Sequence, residues 1–386
     1  MQELLEFCAS DRQREVISAW IEHGSYRKAA KAVGISKSAV EDHVKRVKAA
    51  AARRGWSPDH DMTHTVPDGY RIRGTSTLYD DTGKQRLQWV KTTADQDRQM
   101  ELMQAAIRAL CEDVKPTALK IPRPEQCHEK LMSVYPMGDP HFGMYSWAAE
   151  TGADFDLKIA EQDLYAAVDY LVDRSPPSAR GVLINLGDFF HAENMEGVTT
   201  RSGHVLDMDT RFPMMIDIGI RTLRRCIERM LEKHQTVEMI NSPGNHDLTM
   251  ALFMSIAFRN LYESEPRVIV HDAPTMRHYI EHGKVLIGVC HGHQTKDNQL
   301  IGIMAAEQSE AWGRTKYRYY YRGHHHHDRR EEFNGGIVEQ FRSLAAGDAY
   351  AVGAGYLSGR DMKCIVHHAD YGEQSRFTCG IDVLRS

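Results

Sequence analysis

The stretch RGVLINLGDFFHAEN, residues 180–194, decides how this chain is read. Its apolar run over 182–186 is the pattern of a strand buried on both faces. The run stops at Gly187 and delivers Asp188 directly, with His191 three residues further on. Other segments repeat the pattern. KLMSVYPMG, VEMINS, RVIVHD, KVLIGVC and YRYYYRG are further strand candidates, and residues 155–174, 209–234 and 247–262 are helix candidates. From about residue 129 onward strands and amphipathic helices alternate, which predicts a layered α/β fold. Near the end, GGIVEQFRSL, DMKCIVHHA and RFTCGIDVL read as additional strands.

Four more strand ends carry metal-ligand residue types. MGDPHFG sets Asp139 and His141 two apart in a turn, where a carboxylate and an imidazole can bite one ion. SPGNHDLTM brings Asn245, His246 and Asp247 between a strand and a helix, and VCHGHQTK puts His291 and His293 after KVLIGVC. YRGHHHHDRR places four consecutive histidines, 324–327, inside the chain after an aromatic strand. Mixed His, Asp and Asn donors suit manganese, iron or zinc better than magnesium or calcium alone. Asp188 could bridge two ions. Two ions about 3.5–4 Å apart clamp a phosphate and lower the pKa of a bridging water to roughly 7. The hydroxide so formed can attack phosphorus in line. Each stretch alone is weak evidence, since Gly-Asn-His-Asp can equally be an Asx-type turn capping a helix. Their fixed order, all at strand ends, carries the signal.

Composition bounds the rest. The chain has 386 residues, 42% of them hydrophobic and 26% charged, within the ordinary globular range. No apolar run has the length of a membrane span, and the start has no basic-then-apolar leader. Seven cysteines, none in a C-x-x-C pair, argue for a reducing cytoplasm and against disulfides or a cysteine zinc site. The net charge of −5 excludes a uniformly basic nucleic-acid binder, so any such surface is local. It is local to the N-terminus. Residues 25–54 carry nine Lys and Arg against Glu41 and Asp42, a net of +7. Ser25 and Gly34 bracket a short helix, Ser36 or Ser38 caps the next, and Ile35, Val40, Val44 and Val47 form its apolar stripe. The pattern is similar to a helix-turn-helix, with Lys37, Ser38, Lys45 and Arg46 placed to contact DNA. The competing reading is a helical module that binds protein. Between the ends, 57–128 reads as a connector: a hairpin around Asp81-Thr82-Gly83, a helix over 94–114 and an extended, proline-marked linker.

The ordered set D-x-H, G-D, G-N-H-D, H and G-H-x-H resembles the calcineurin-like metallophosphoesterase family over residues 129 to about 350. That resemblance implies a four-layer fold, two β-sheets flanked by helices, with two divalent ions at the strand ends. Manganese is preferred, with Fe2+, Zn2+ and Mg2+ as alternatives. Carried over by motif, one ion takes Asp139, His141, Asp188 and His326; the other takes Asp188, Asn245, His291 and His324. His325 and His327 share the ligand spacing, and only the distance from Gly323 selects against them. The resemblance makes His246 the group that stabilises the transition state or protonates the leaving oxygen, with Asp247 orienting it. GDFFHAEN looks most like SbcD-type DNA repair nucleases, whose histidine at the His191 position helps place the strand. An N-terminal helix-turn-helix on such a core is similar to phage and prophage phosphoesterases. These likenesses imply a DNA nuclease. The alternatives are a phosphomonoesterase or small-nucleotide phosphodiesterase with a recruiting helix-turn-helix, and a DNA-binding regulator with an inactive core. The complete ligand set argues against the last. The expected partner is DNA, with no membrane. The tail lacks the helices of an ATPase-docking segment, and a homodimer is left open. Arg201, His204 and Arg211 could touch phosphates but read equally as a surface loop. The tyrosines at 317–321 read as buried strand packing, and His367 and His368 as structural.

Overall fold

Successive side chains of a strand face opposite ways, and in β4 (Ser178–Asn185) this alternation feeds two different cores. Val182 and Ile184 enter one core and Leu183 the other. The computed structural model that shows this describes residues 2–53, 70–80, 85–94, 121–195, 197–198, 206–355 and 357–385. The chain divides into two compact units, residues 1–102 and 103–386.

In the first unit, α1 (Asp11–His23), α2 (Tyr26–Val33) and α3 (Lys37–Arg53) enclose a core of their own. Val16, Ile17 and Trp20 of α1 meet Ala29 and Ala30 of α2 and Val40, Val44 and Val47 of α3. The ends follow the sequence signals. Ser10 Oγ accepts from Gln13 N at 3.2 Å, Gly34 closes α2 in the left-handed region at φ 68°, and Ser36 Oγ accepts from Ala39 N at 3.1 Å. Ser25 occupies the N-cap of α2 in extended backbone, without a side-chain bond. Strands β1 (Tyr70–Tyr79) and β2 (Gln85–Ala94) pair antiparallel as the expected hairpin. Its turn, the helix expected beyond Ala94 and the first half of the linker lie outside the described residues.

The second unit holds two sheets. In the first, parallel strands β3 (His128–Met137), β4, β5 (Thr236–Asn241) and β6 (Val268–His271) lie in that order. At its other edge β12 (Asp361–His368) runs antiparallel to β3 and to β13 (Gly372–Gly380). The second sheet has the order β10-β11-β9-β8-β7, with β7 (His278–His282), β8 (Val285–Val289), β9 (Tyr317–Arg322), β10 (Arg329–Phe333) and β11 (Gly336–Gln340). Val182, Ile184 and Leu186 pack against Val285, Ile287, Val289 and Tyr321, so the sheets meet face to face. The outer face of the first sheet is covered by α5 (Leu157–Arg174), α6 (Phe212–Leu231) and α7 (Leu248–Leu261), which follow the short helix α4 (Ala148–Thr151). Leu286, Tyr320 and Val338 on the outer face of the second pack on α8 (Asp297–Glu307) and α9 (Ser309–Arg314). The result is a four-layer sandwich, helix–sheet–sheet–helix.

Several expectations need correction. RFTCGIDVL is a strand only to Gly380, and Ile381–Leu384 turns helical. GGIVEQFRSL contributes a strand only over Gly336–Gln340. Strands β7 and β10 and helices α8 and α9 had no counterpart in the sequence reading. Tyr320 and Tyr321 are fully buried, as strand packing requires.

Candidate metal centre

Five strands end at one edge of the sandwich, and each delivers its polar residues there. Parallel β3, β4 and β5 lead to Asp139 and His141, to Asp188, and to Asn245 and His246. Parallel β8 and β9 of the facing sheet lead to His291 and to His324 and His326. The turns are stitched to each other by the backbone. His141 N donates to Asp188 O at 3.0 Å, His191 N to Phe142 O at 2.9 Å and Gly323 N to His291 O at 3.0 Å. The two sheets are tied directly as well, since His324 N donates to both Asp139 carboxylate oxygens at 3.0 and 3.1 Å.

The backbone of this edge is unusual. Among the described residues, the non-glycine positions with positive φ are Asp139 (44°), His141 (47°), Asp188 (51°), His324 (77°) and His326 (56°). A left-handed backbone is unfavourable for residues with a Cβ and collects where a function demands a side-chain direction. It also sorts the histidine run. Residues 323–328 form no strand, so alternation does not come from a pleat. Left-handed turns at His324 and His326 aim those two rings inward, while His325 and His327 are exposed. Glycines clear the space. A Cβ on Gly187 would come 2.6 Å from His291 Nδ1, on Gly323 2.5 Å from Asp139 Oδ2, and on Gly244 2.0 Å from Asp188 Oδ1.

Asp139, His141 and His326 gather in one group, and Asp188, His291 and His324 in another. His291 shows what each group needs. Its Nδ1 lies 2.9 Å from the Leu186 carbonyl, an acceptor only, so Nδ1 carries the proton. Nε2 then directs a lone pair at Asn245 Oδ1, 2.9 Å away, and Asp188 Oδ2, 3.1 Å away. Three acceptors converging at this distance require a shared positive charge. Without a metal ion a proton fills the role. Burial alone would push His291 down, but the Asp188 carboxylate outweighs it and lifts the imidazole to about 9. In the other group His141 Nε2 lies 3.2 Å from His326 Nε2, which is 3.4 Å from Asp139 Oδ1. Burial, then the neighbouring imidazoles, holds His141 well below the usual histidine range, leaving it a neutral donor. The donor sets fit divalent metal ions.

His191 continues this network. If His141 Nε2 is a ligand, its Nδ1 carries the proton and donates it to His191 Nδ1, 3.2 Å away. His191, pushed down to about 3 by burial, would then be neutral with its proton on Nε2. That Nε2 is buried and has no partner among the described residues. His246 stacks on His191, ring centroids 5.4 Å apart, and its Nδ1 meets the His191 carbonyl at 3.0 Å.

Asp247 differs from its expected role. Its carboxylate accepts from the backbone N–H of Asp188 (3.1 Å), Phe189 (2.8 Å), Phe190 (3.2 Å) and Gly244 (3.0 Å), so it shapes the Asp188 turn. The His246 ring is oriented by the His191 carbonyl instead. Sequence reasoning also missed Ser343, whose hydroxyl donates to the Asp139 carbonyl at 2.6 Å; no motif marks it. Arg201 and His204 lie outside the described residues, and Arg211 is the N-cap residue of α6. His367 is buried beside Tyr321, its Nε2 2.9 Å from the phenol oxygen. On α3, Lys37, Ser38, Lys45 and Arg46 are all exposed, with Lys37 paired to Glu41 (2.9 Å) and Arg46 to Asp42 (3.4 Å).

No family model and no curated protein matches the chain. Solved structures do. A predicted phosphoesterase from Streptococcus pneumoniae TIGR4 is 11% identical, covering 66% of this chain and 99% of that one, with a TM-score of 0.28. An archaeal phosphodiesterase is 13% identical over 64% of this chain and 100% of its own, TM-score 0.33. Vps29 from Entamoeba histolytica, solved with zinc, is 13% identical over 65% and 99%, TM-score 0.27. The chemical reading rests on the side chains themselves.

Proposed function

We propose that this chain is a phosphodiesterase with two divalent ions, manganese foremost, and that its substrate is DNA. The observation that carries the reading is the convergence of imidazole nitrogens and carboxylate oxygens on the ends of five strands. Asp139, His141 and His326 would hold one ion and Asn245, His291 and His324 the other, with Asp188 shared between them. Bound there, the ions supply Lewis acidity toward a phosphate and a water that is nucleophilic near neutral pH.

The chain's own groups do the rest. His246, held through its Nδ1–H by the His191 carbonyl, would as the imidazolium give its Nε2 proton to the leaving ester oxygen and be left as the neutral ring. The His191 Nε2–H is a buried donor that a phosphate oxygen would satisfy. Asp247 keeps Asp188 in place through its turn. Support for DNA comes from the exposed cations of α3, whose exposed ion pairs contribute little and can be exchanged for phosphates.

The test is a substrate panel with added manganese: linear and circular, single- and double-stranded DNA, a chromogenic phosphodiester and a phosphomonoester. DNA and diester cleavage is expected, and hydrolysis of the monoester alone would remove the nuclease reading. In parallel, Asp188→Ala should abolish turnover and lower bound metal. Full activity and metal content in that variant would overturn the two-ion centre.

A further inference from the structure

The segment leaving His141 carries two aromatic side chains that the fold does not use. Phe142, Met144 and Ser146 are buried, whereas Tyr145 is 46% and Trp147 57% exposed. Beyond the turn at Gly143, the alternation over residues 144–147 is that of an extended chain with one face on the core and the other on solvent. The backbone beneath is fixed at almost every step. Phe142 N donates to Phe189 O at 2.7 Å, Met144 N to His141 O at 3.0 Å and Tyr145 N to Asp207 O at 2.9 Å. Ser146 exchanges two backbone bonds with Phe155, each 2.9 Å, and its hydroxyl lies within donating distance of the carbonyls of Ala153 (3.0 Å) and Gly347 (2.9 Å). Trp147 stays extended, with φ −110° and ψ 124°, before α4 begins. Two outward rings about 6.6 Å apart along the chain therefore stand on a rigid base. The base starts at a residue of the metal centre.

A single exposed aromatic needs no explanation. Two on one face, four and six residues along the chain from His141 of a centre that fits a phosphoester, have a physical use. The group esterified to the bound phosphate must lie against some surface beside it. A flat heterocycle stacks on Tyr and Trp and keeps its polar edge in water, whereas an alkyl chain gains nothing from planarity. From this geometry we infer that Tyr145 and Trp147 form a stacking subsite for a nucleobase of the substrate, making them specificity-determining residues. The inference rests on the phosphodiesterase reading above.

Two esters with the same leaving group separate the claims. The full chain with manganese is assayed on p-nitrophenyl thymidine 5′-phosphate and on p-nitrophenyl methyl phosphate, which has no base. The wild type should prefer the thymidine ester. Tyr145→Ala/Trp147→Ala should reduce that preference in kcat/KM by about 10- to 100-fold, mainly through KM, and leave the methyl ester unchanged. Trp147→Phe keeps a ring and should retain most of the preference. Equal losses on both esters, or no change on either, would overturn the subsite while leaving the phosphodiesterase reading intact. So would an equal preference for a p-nitrophenyl hexyl ester, which would mark a merely apolar patch. Hydrolysis of no ester by the wild type would instead bring down the phosphodiesterase reading, and this subsite with it.

Discussion

Gly244 has no room for a side chain. A Cβ there would sit 2.0 Å from Asp188 Oδ1 and 2.2 Å from Asp188 N. Both atoms belong to the turn that Asp247 holds with three hydrogen bonds, so the turn cannot yield without releasing them. Gly244→Ala should therefore displace the Asp188 carboxylate, with a loss of about 1–3 kcal/mol in urea unfolding. Activity and bound metal should fall much further than stability, a split that metal analysis of the folded variant would check. Asp247→Asn tests the same turn from its other side. An amide keeps at most the two contacts on its remaining oxygen, so metal content should fall while the His246 ring keeps its place. The ligand types of this edge were legible in the sequence because His, Asp and Asn recur after apolar runs. Their left-handed backbones were not. No residue type announces positive φ at Asp139 or His326, and only the closed turn reveals that His324 and His326 alternate by backbone direction.

Among the elements, β5 shows how the first sheet is cross-tied below the edge that carries the candidate metal centre. Glu238 on β5 is 4% exposed and binds Arg180 of β4 at 2.6 Å and His271 of β6 at 3.0 Å. Burial pushes its carboxyl up, but the bonds from His271 and Arg180 outweigh burial and bring it down to about 2. A depressed carboxyl stabilises the fold above its unfolded pKa, and the contribution is lost as pH falls through the folded value. Glu238→Gln should accordingly lower stability by on the order of 3 kcal/mol at pH 7, with the difference from wild type shrinking between about pH 4.5 and 2. Urea unfolding at several pH values reads this directly, and a constant difference would mean that charge is not the cause. Arg267, 6% exposed, ties other elements by donating to the carbonyls of Ile121, Leu231, His234 and Gln235. Such contacts are invisible to periodicity, as are two whole strands. The sequence HYIEH of β7 carries histidines at both ends. The sequence RREEF of β10 is charged because it is an edge strand, with Arg330 bound to Glu373 at 2.8 Å. The inner strands β3, β4, β5 and β8, by contrast, were legible as apolar runs because they are buried between layers.

At the level of the whole molecule, the proposed function would assign chemistry and recognition to separate units, each with its own core. The four-layer unit contains every residue of the metal centre, so hydrolysis of a small ester should not need the first unit. DNA affinity should need it. Neutralised phosphates release counterions, and the logarithm of affinity falls with that of salt concentration by about 0.9 per contact. Lys37, Lys45 and Arg46 lie exposed along one helix, α3, and the carboxylates beside Lys37 and Arg46 are themselves exposed. Replacing the three cations with alanine should reduce the salt slope of duplex binding by about 2–3. Duplex cleavage should fall most at physiological salt, where the electrostatic contribution decides occupancy. The rate on a chromogenic diester should stay at the wild-type value. Ser38→Ala removes no charge, so any loss it causes should leave the slope unchanged and would mark a contact of another kind. An unchanged slope in the triple variant would show that α3 does not meet phosphates, and would return the first unit to the alternative reading, a helical module that binds protein.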